Sequence, residues 1–217
     1  MAGAALGATT ALAALPGTAY AAPAAPSSDG VPGSRRWTGT KSANGWPVLE
    51  EAELFRIEGS GRSVRLAAGD AAVILLHVAR RFHYEIDQLR EGDITGHSTT
   101  RSTVQDYESN YLSGTALAIR PLAYPVGVKG GLYPHELVVV RDILAELDGT
   151  VTWGGDLATP KESHFELAYK PGHPKVKGVA RTIRGWQAGP GSAGAGTVDV
   201  FDPERRSKAT AFARRAA

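Results

Sequence analysis

Residues 70–90, DAAVILLHVARRFHYEIDQLR, carry apolar side chains at Ile74, Leu75, Val78, Phe82, Ile86 and Leu89. That recurrence is the stripe of an amphipathic helix, and Asp70 at its start suits an N-cap. The segment reads as the main core helix, so the rest of the chain has to supply what covers its stripe. His77 and His83 lie on it six residues apart, off the four-residue spacing of a helical pair of metal ligands, and read as helix-face or packing histidines. Upstream, LFRIEG over residues 54–59 and SVRLA from Ser63 alternate at Phe55, Ile57, Val64 and Leu66, which predicts a hairpin turning through Gly59-Ser60-Gly61. Downstream, Leu137, Val140, Ile143, Leu144 and Leu147 predict a second helix over residues 135–147, with Pro134 in its first turn and Gly149 as its stop. A short strand follows at residues 150–153, and residues 176–186 read as a further short helix with Val179, Ile183 and Trp186 inward.

A chain of 217 residues is long enough for one domain with a proper core plus tails. With 42% hydrophobic and 21% charged residues it is neither a wholly disordered chain nor a membrane bundle. A net charge of +2 is too small to argue for nucleic acid. The absence of cysteine excludes disulfides, thiolate zinc sites and a cysteine nucleophile, leaving His, Asp, Glu or Tyr for any metal.

Residues 2–21 form an Ala/Leu/Gly run ending in Ala19-Tyr20-Ala21, an A-x-A pattern suited to signal-peptide cleavage. The expectation is a signal peptide over residues 1–21, a secreted or cell-wall-associated product, and no membrane span after cleavage; a buried Ala-rich helix is the alternative. Residues 22–36 read as a flexible linker rich in Pro, Ala, Ser and Gly, residues 37–186 as the domain, and residues 187–217 as a Gly-rich linker with a basic tail. The tail is read either as a basic helix capped by Asp202 with Pro203 at its first position, or as a solvated charge run.

Two stretches carry a resemblance. Residues 109–120, SNYLSGTALAIR, resemble the S-x-H-x-x-G-x-A-x-D signature of the zinc D-alanyl-D-alanine carboxypeptidases and related murein peptide hydrolases. Ser109, Gly114 and Ala116 match, whereas Tyr111 holds the His position and Ala118 the Asp position. Residues 153–167, WGGDLATPKESHFEL, resemble the second motif of that family, a W-G-G-D turn leading to an acidic residue and H-F on a strand. The resemblance implies an α+β fold, a small antiparallel sheet with helices packed on it in a single domain, with the site on the sheet's open face. It implies zinc as cofactor, peptidoglycan stem peptides as partners, a strand bearing the residue at position 111, and His164 as the remaining zinc ligand. Glu162 is then the nearest acidic residue to the general base, although Lys161 occupies the commoner spacing. Arg101 is the candidate for the substrate-binding arginine, with a solvated loop arginine as its alternative, and Ser109, Trp153 and Asp156 fall in the substrate groove.

Zinc needs a set of deprotonated ligands; a phenol such as Tyr111 resists deprotonation and Ala118 has no donor atom. The resemblance therefore implies a peptidase-type domain with impaired catalysis, Tyr111 being an aromatic that fills the emptied pocket. The alternatives are an active metallopeptidase with an unusual ligand set from His164, Glu166 or Asp156, and Tyr111; a non-catalytic module binding cell wall or protein; and a drifted paralogue without a ligand. If residues 162–166 are extended, Glu162, His164 and Glu166 share one strand face.

Overall fold

The computed structural model describes residues 33–189 and 198–216. The proposed signal peptide, most of the proposed N-terminal linker and the Gly-rich stretch at 190–197 lie outside the described residues. The fold is α+β. A hairpin of β2 (Glu53–Ile57) and β3 (Arg62–Leu66) precedes helix α1 (Asp70–Glu85), as the alternation and the stripe predicted. The helix stops five residues short of position 90, and its N-cap is Gly69 rather than Asp70, which sits in the first turn and pairs with Arg184 at 2.8 Å.

A four-stranded antiparallel sheet follows, in the order β4 (Ile94–Thr95), β6 (Ala116–Ile119), β8 (His164–Leu167) and β7 (Val151–Trp153). Strand side chains alternate between faces. Leu117, Ile119, Phe165, Leu167, Val151 and Trp153 accordingly join the core with Ile74, Leu75, Val78 and Phe82 of α1 and Val140, Ile143 and Leu144 of α2 (Pro134–Glu146). Pro134 does take the first helical position of α2, where its missing N–H leaves no intrahelical bond unmade. Helix α3 (Pro174–Ala188) packs on α1, bringing Val176, Ala180 and Ile183 into the core.

A separate two-stranded ladder joins β1 (Arg35–Arg36) to β5 (Ser102–Thr103), so structure begins inside the stretch read as linker. The tail also departs from a solvated run. It forms α4 (Pro203–Ala216), started by Asp202 Oδ1 accepting from the Glu204 and Arg205 amides, and α4 lies against α2.

What fastens α4 is charge. Arg205 donates through Nε to Asp142 at 3.0 Å and reaches Glu146 at 3.1 Å. Asp142 and Glu146 also take Arg81 of α1, at 2.8 and 3.0 Å, and His77 donates to Glu146 at 2.8 Å. Arg80 fixes that tautomer by donating to His77 Nδ1 at 3.1 Å. His77 is therefore a packing histidine, though one built into an ion network. Removing one member would leave buried charge uncompensated, which is costlier than the pairs are stabilising. Among the described residues, no helix is long and apolar enough to cross a membrane.

Burial raises the Glu146 carboxyl, but the His77 hydrogen bond and the Arg81 charge outweigh it and hold the group at about 2, below its ordinary 4.5. A carboxylate with a depressed folded value stabilises fully above its unfolded value and ceases to do so as pH falls through the folded one. Glu146→Gln should therefore lower stability to urea at pH 7, by about 3 kcal/mol at most. The gap to the native chain should close as pH falls from 4.5 toward 2; a gap independent of pH would contradict this account.

Candidate functional site

Alternation along β6 and β8 turns Ala116, Ala118, His164 and Glu166 away from the helical core, onto the opposite face of the sheet. The register places Ala118 directly across from His164 and Ala116 across from Glu166. That face is not open. A 3-10 helix (Asp106–Tyr111) lies over it, so that His164 is 0% exposed. Tyr111 thus stands at the end of a 3-10 turn and not on a strand, because Glu108 closes the segment by accepting from the Val104 and Gln105 amides at 2.7 and 3.2 Å. The chain then reverses at Gly114, where φ is 65° and a Cβ would meet Ala67 N at 2.5 Å. Only glycine fits that combination.

Strands β6 and β8, the 3-10 helix and the loop that carries Asn44 bring together a closed set of polar side chains. The Tyr111 hydroxyl lies 2.7 Å from His164 Nδ1, and His164 Nε2 lies 2.8 Å from Glu166 Oε2. The carboxylate only accepts, so Nε2 carries the ring proton and Nδ1 accepts from Tyr111. Asn110 Nδ2 donates to the same Glu166 oxygen, while its Oδ1 accepts from the Asn44 amide at 3.0 Å. The Asn44 side chain in turn donates to Thr115 Oγ1 at 2.8 Å and to the Leu167 carbonyl at 3.1 Å. Tyr107 packs its ring 4.8 Å from that of His164. Lys161 caps the group, its Nζ 5.1 Å from the centre of the Tyr111 ring and 2.8 Å from Glu108 Oε1.

Burial dominates the electrostatics. It lowers the His164 imidazole below its ordinary value despite the opposing hydrogen bond to Glu166, so the ring is neutral. Burial, with Glu108 nearby, drives the Tyr111 phenol well up, and the same causes raise Tyr107. Glu108 resists its own burial because Lys161 and two backbone amides hold its carboxyl low. The arrangement can hold a fixed neutral tautomer. It offers no phenolate.

The other residues singled out in the sequence are placed elsewhere. Glu162 precedes β8 in a turn, so it does not share a face with His164 and Glu166. Its carboxylate accepts from the amides of Gly130, Gly131 and Leu132 at 2.8, 2.8 and 3.3 Å, anchoring the loop ahead of α2 instead of facing His164. Trp153 is in the core, its indole donating to the Glu162 carbonyl at 2.8 Å. Ser109 is buried and structural, accepting from the Ala43 amide and donating to the Asp106 carbonyl. Asp156 is bound by both terminal nitrogens of Arg141, which lies over the Trp153 ring. Arg101 donates to the carbonyls of Trp37 and Gly39, at 3.4 and 3.2 Å, on the β1–β5 ladder. Ser109, Trp153 and Asp156 therefore line no common groove. The glycine pair of the WGGD turn is explained by packing: a Cβ on Gly154 would meet the Lys161 carbonyl at 2.2 Å, and one on Gly155 the Trp153 ring at 2.2 Å.

No family model matches the chain, and neither the curated proteins nor the solved structures yield a match.

The residues at the expected zinc position do not fit the metal. Both nitrogens of His164 are engaged, Tyr111 is held as a neutral phenol, Ala118 is an aliphatic side chain, and Glu162 is turned to its loop. Among the described residues no group of three or more His, Asp or Glu is arranged to hold a metal ion. The unusual ligand set separates likewise: Tyr111, His164 and Glu166 come together, but bonded to one another, and Asp156 is paired with Arg141. Asn110, Asn44, Tyr107 and Lys161 were not singled out from the sequence as site residues. Asn110 lies between Ser109 and Tyr111, and an amide in a buried segment must find partners.

Tyr111→Phe leaves His164 Nδ1 buried without a donor, so stability to urea should fall by about 1–3 kcal/mol. A change within about 0.5 kcal/mol, the range of an inconsequential surface substitution, would mean that the Tyr111–His164 bond is not formed.

Proposed function

We propose that this chain is a secreted domain of the D-alanyl-D-alanine carboxypeptidase type, directed at peptidoglycan stem peptides, that has lost zinc-dependent hydrolysis. The observation that carries the reading is the closed Tyr111–His164–Glu166 relay, lying across the strand pair from Ala118. In a zinc hydrolase three protein ligands leave a fourth position open for the water that the metal acidifies. Here one candidate ligand remains, and its two nitrogens are bonded to protein. Mutating even an outer-shell partner of a metal ligand commonly weakens affinity about 10–100-fold, and here two ligand positions themselves are replaced. The arrangement of Ala118 opposite His164, with Tyr111 reaching the same ring, supports the alignment of the two motifs, since a shared metal would need those three positions together. Export and stem-peptide recognition rest on the sequence resemblance and the A-x-A segment.

Elemental analysis of the purified chain should find no stoichiometric zinc, and a stem pentapeptide should release no D-Ala. The double variant Tyr111→His with Ala118→Asp should gain zinc, because it restores donors at two positions that adjoin His164. One zinc per native chain, with turnover abolished by His164→Ala, would overturn the loss of hydrolysis. A folded double variant that takes up no metal would overturn the alignment itself.

A further inference from the structure

The β1–β5 ladder carries a second constellation that the reading above does not use. Pairing of Arg35 with Thr103 and Arg36 with Ser102 sets two arginines beside the segment that ends in Arg101, and the Trp37 amide donates to the Arg101 carbonyl at 2.7 Å. A cleft of about 580 Å³ opens there, lined by Arg35, Arg36 and Arg101 with Ser34, Thr99, Thr100 and Ser102. That volume is in the range of small-molecule sites, larger than one inorganic anion requires.

Among the described residues, only Arg35 of the cleft's arginines meets a carboxylate, that of Asp106. No carboxylate is among the residues that line it. Arg101 is held by the carbonyls of Trp37 and Gly39, which orient the guanidinium and leave its charge uncompensated. Arg36 is exposed and makes no ion pair among the described residues, while Arg35 reaches Asp106. A guanidinium donates in a planar fork to paired oxyanion oxygens, and hydroxyls of Ser and Thr donate singly to phosphoryl oxygens. One carboxylate would satisfy a single arginine. Two guanidinium groups without a carboxylate partner among the described residues, a third shared with Asp106, and four hydroxyl side chains around an open volume match a ligand carrying several oxyanion charges in succession.

We propose that the cleft formed by Arg35, Arg36 and Arg101 with Thr99, Thr100 and Ser102 binds a ligand bearing successive phosphate groups, of the polyphosphate or phosphodiester class. The ligand comes either from a soluble phosphate polymer or from the headgroups of an anionic lipid surface, which present the same chemistry. This site is independent of the His164 cluster, so the outcome of the zinc measurements does not bear on it.

The test is calorimetric titration of the full chain with tripolyphosphate, inorganic phosphate and a short poly-glutamate peptide at low salt, and again at raised salt. Tripolyphosphate should bind more tightly than inorganic phosphate and than the peptide, and should weaken steeply with salt, as contacts between arginines and phosphates do. Arg36→Gln should cost about tenfold in affinity, the loss of one charge-assisted contact at an exposed side chain, with the fold unchanged. Thr100→Val, which removes a hydroxyl and keeps the shape, should weaken binding less. Co-sedimentation with phosphatidylglycerol vesicles, lost in Arg36→Gln, would assign the lipid source; tripolyphosphate binding with inert vesicles would assign the soluble one, and either supports the site. Equal affinity of native chain and Arg36→Gln, no preference over inorganic phosphate, or tighter binding of the peptide would overturn it.

Discussion

The antiparallel pairing of β6 with β8 sets His164 against Ala118 and Glu166 against Ala116, and the character of the whole sheet face follows from that register. Small side chains on one strand leave room over the other, which the 3-10 helix fills with Tyr107, Asn110 and Tyr111. A slip of one residue would send His164 into the aliphatic core and Phe165 out of it, so the hydrophobic face itself locks the polar face in place. The carbonyl and glycine contacts around Gly154 hold the turn that feeds β8, and the Lys161–Glu108 pair ties that turn to the 3-10 helix. Site and fold are thus one construction.

Two buried polar networks share the domain and solve desolvation differently. Around His164 the side chains satisfy each other by donor and acceptor, hydroxyl to imidazole and imidazole and amide to carboxylate, with the Lys161–Glu108 ion pair at the edge. Around Arg81 the members are ions, with Glu85, Asp142 and Glu146 answered by Arg81 and Arg205. The first network fixes a tautomer and a ring orientation. The second joins α1, α2 and α4, so the C-terminal helix, polar for most of its length, is held chiefly by one arginine together with Ala209 and Phe212. Both networks are costly to leave half-made, which is why each is closed.

Much of the frame was legible because its signals are local. The α1 stripe, the Gly59–Gly61 reversal and the Pro134 start with the Gly149 stop each depend on a few neighbouring residues whose backbone preferences agree with the tertiary fold. What escaped depends on partners distant in sequence. Glu162 reads as a base beside a histidine, yet three amides some thirty residues earlier claim its oxygens. The resemblance puts position 111 on a strand, but the Glu108 carboxylate caps a 3-10 turn that ends there instead. Arg205 reads as one charge in a basic run until Asp142 and Glu146, both on the polar side of a helix, are brought opposite it. Trp153 and Asp156 read as groove residues from their motif, while the indole is spent on a core carbonyl and the carboxylate on Arg141.

The central claim is that both nitrogens of His164 are taken by protein groups, with the proton on Nε2. Nitrogen-15 spectroscopy of the imidazole tests it most directly. The account predicts a single neutral Nε2–H tautomer, retained below the ordinary histidine value of 6.5 because burial lowers the ring's affinity for protons, and unchanged by added zinc. A ring that titrates as a solvent-exposed histidine does, or whose Nδ1 or Nε2 resonance moves on stoichiometric addition of zinc, would contradict it.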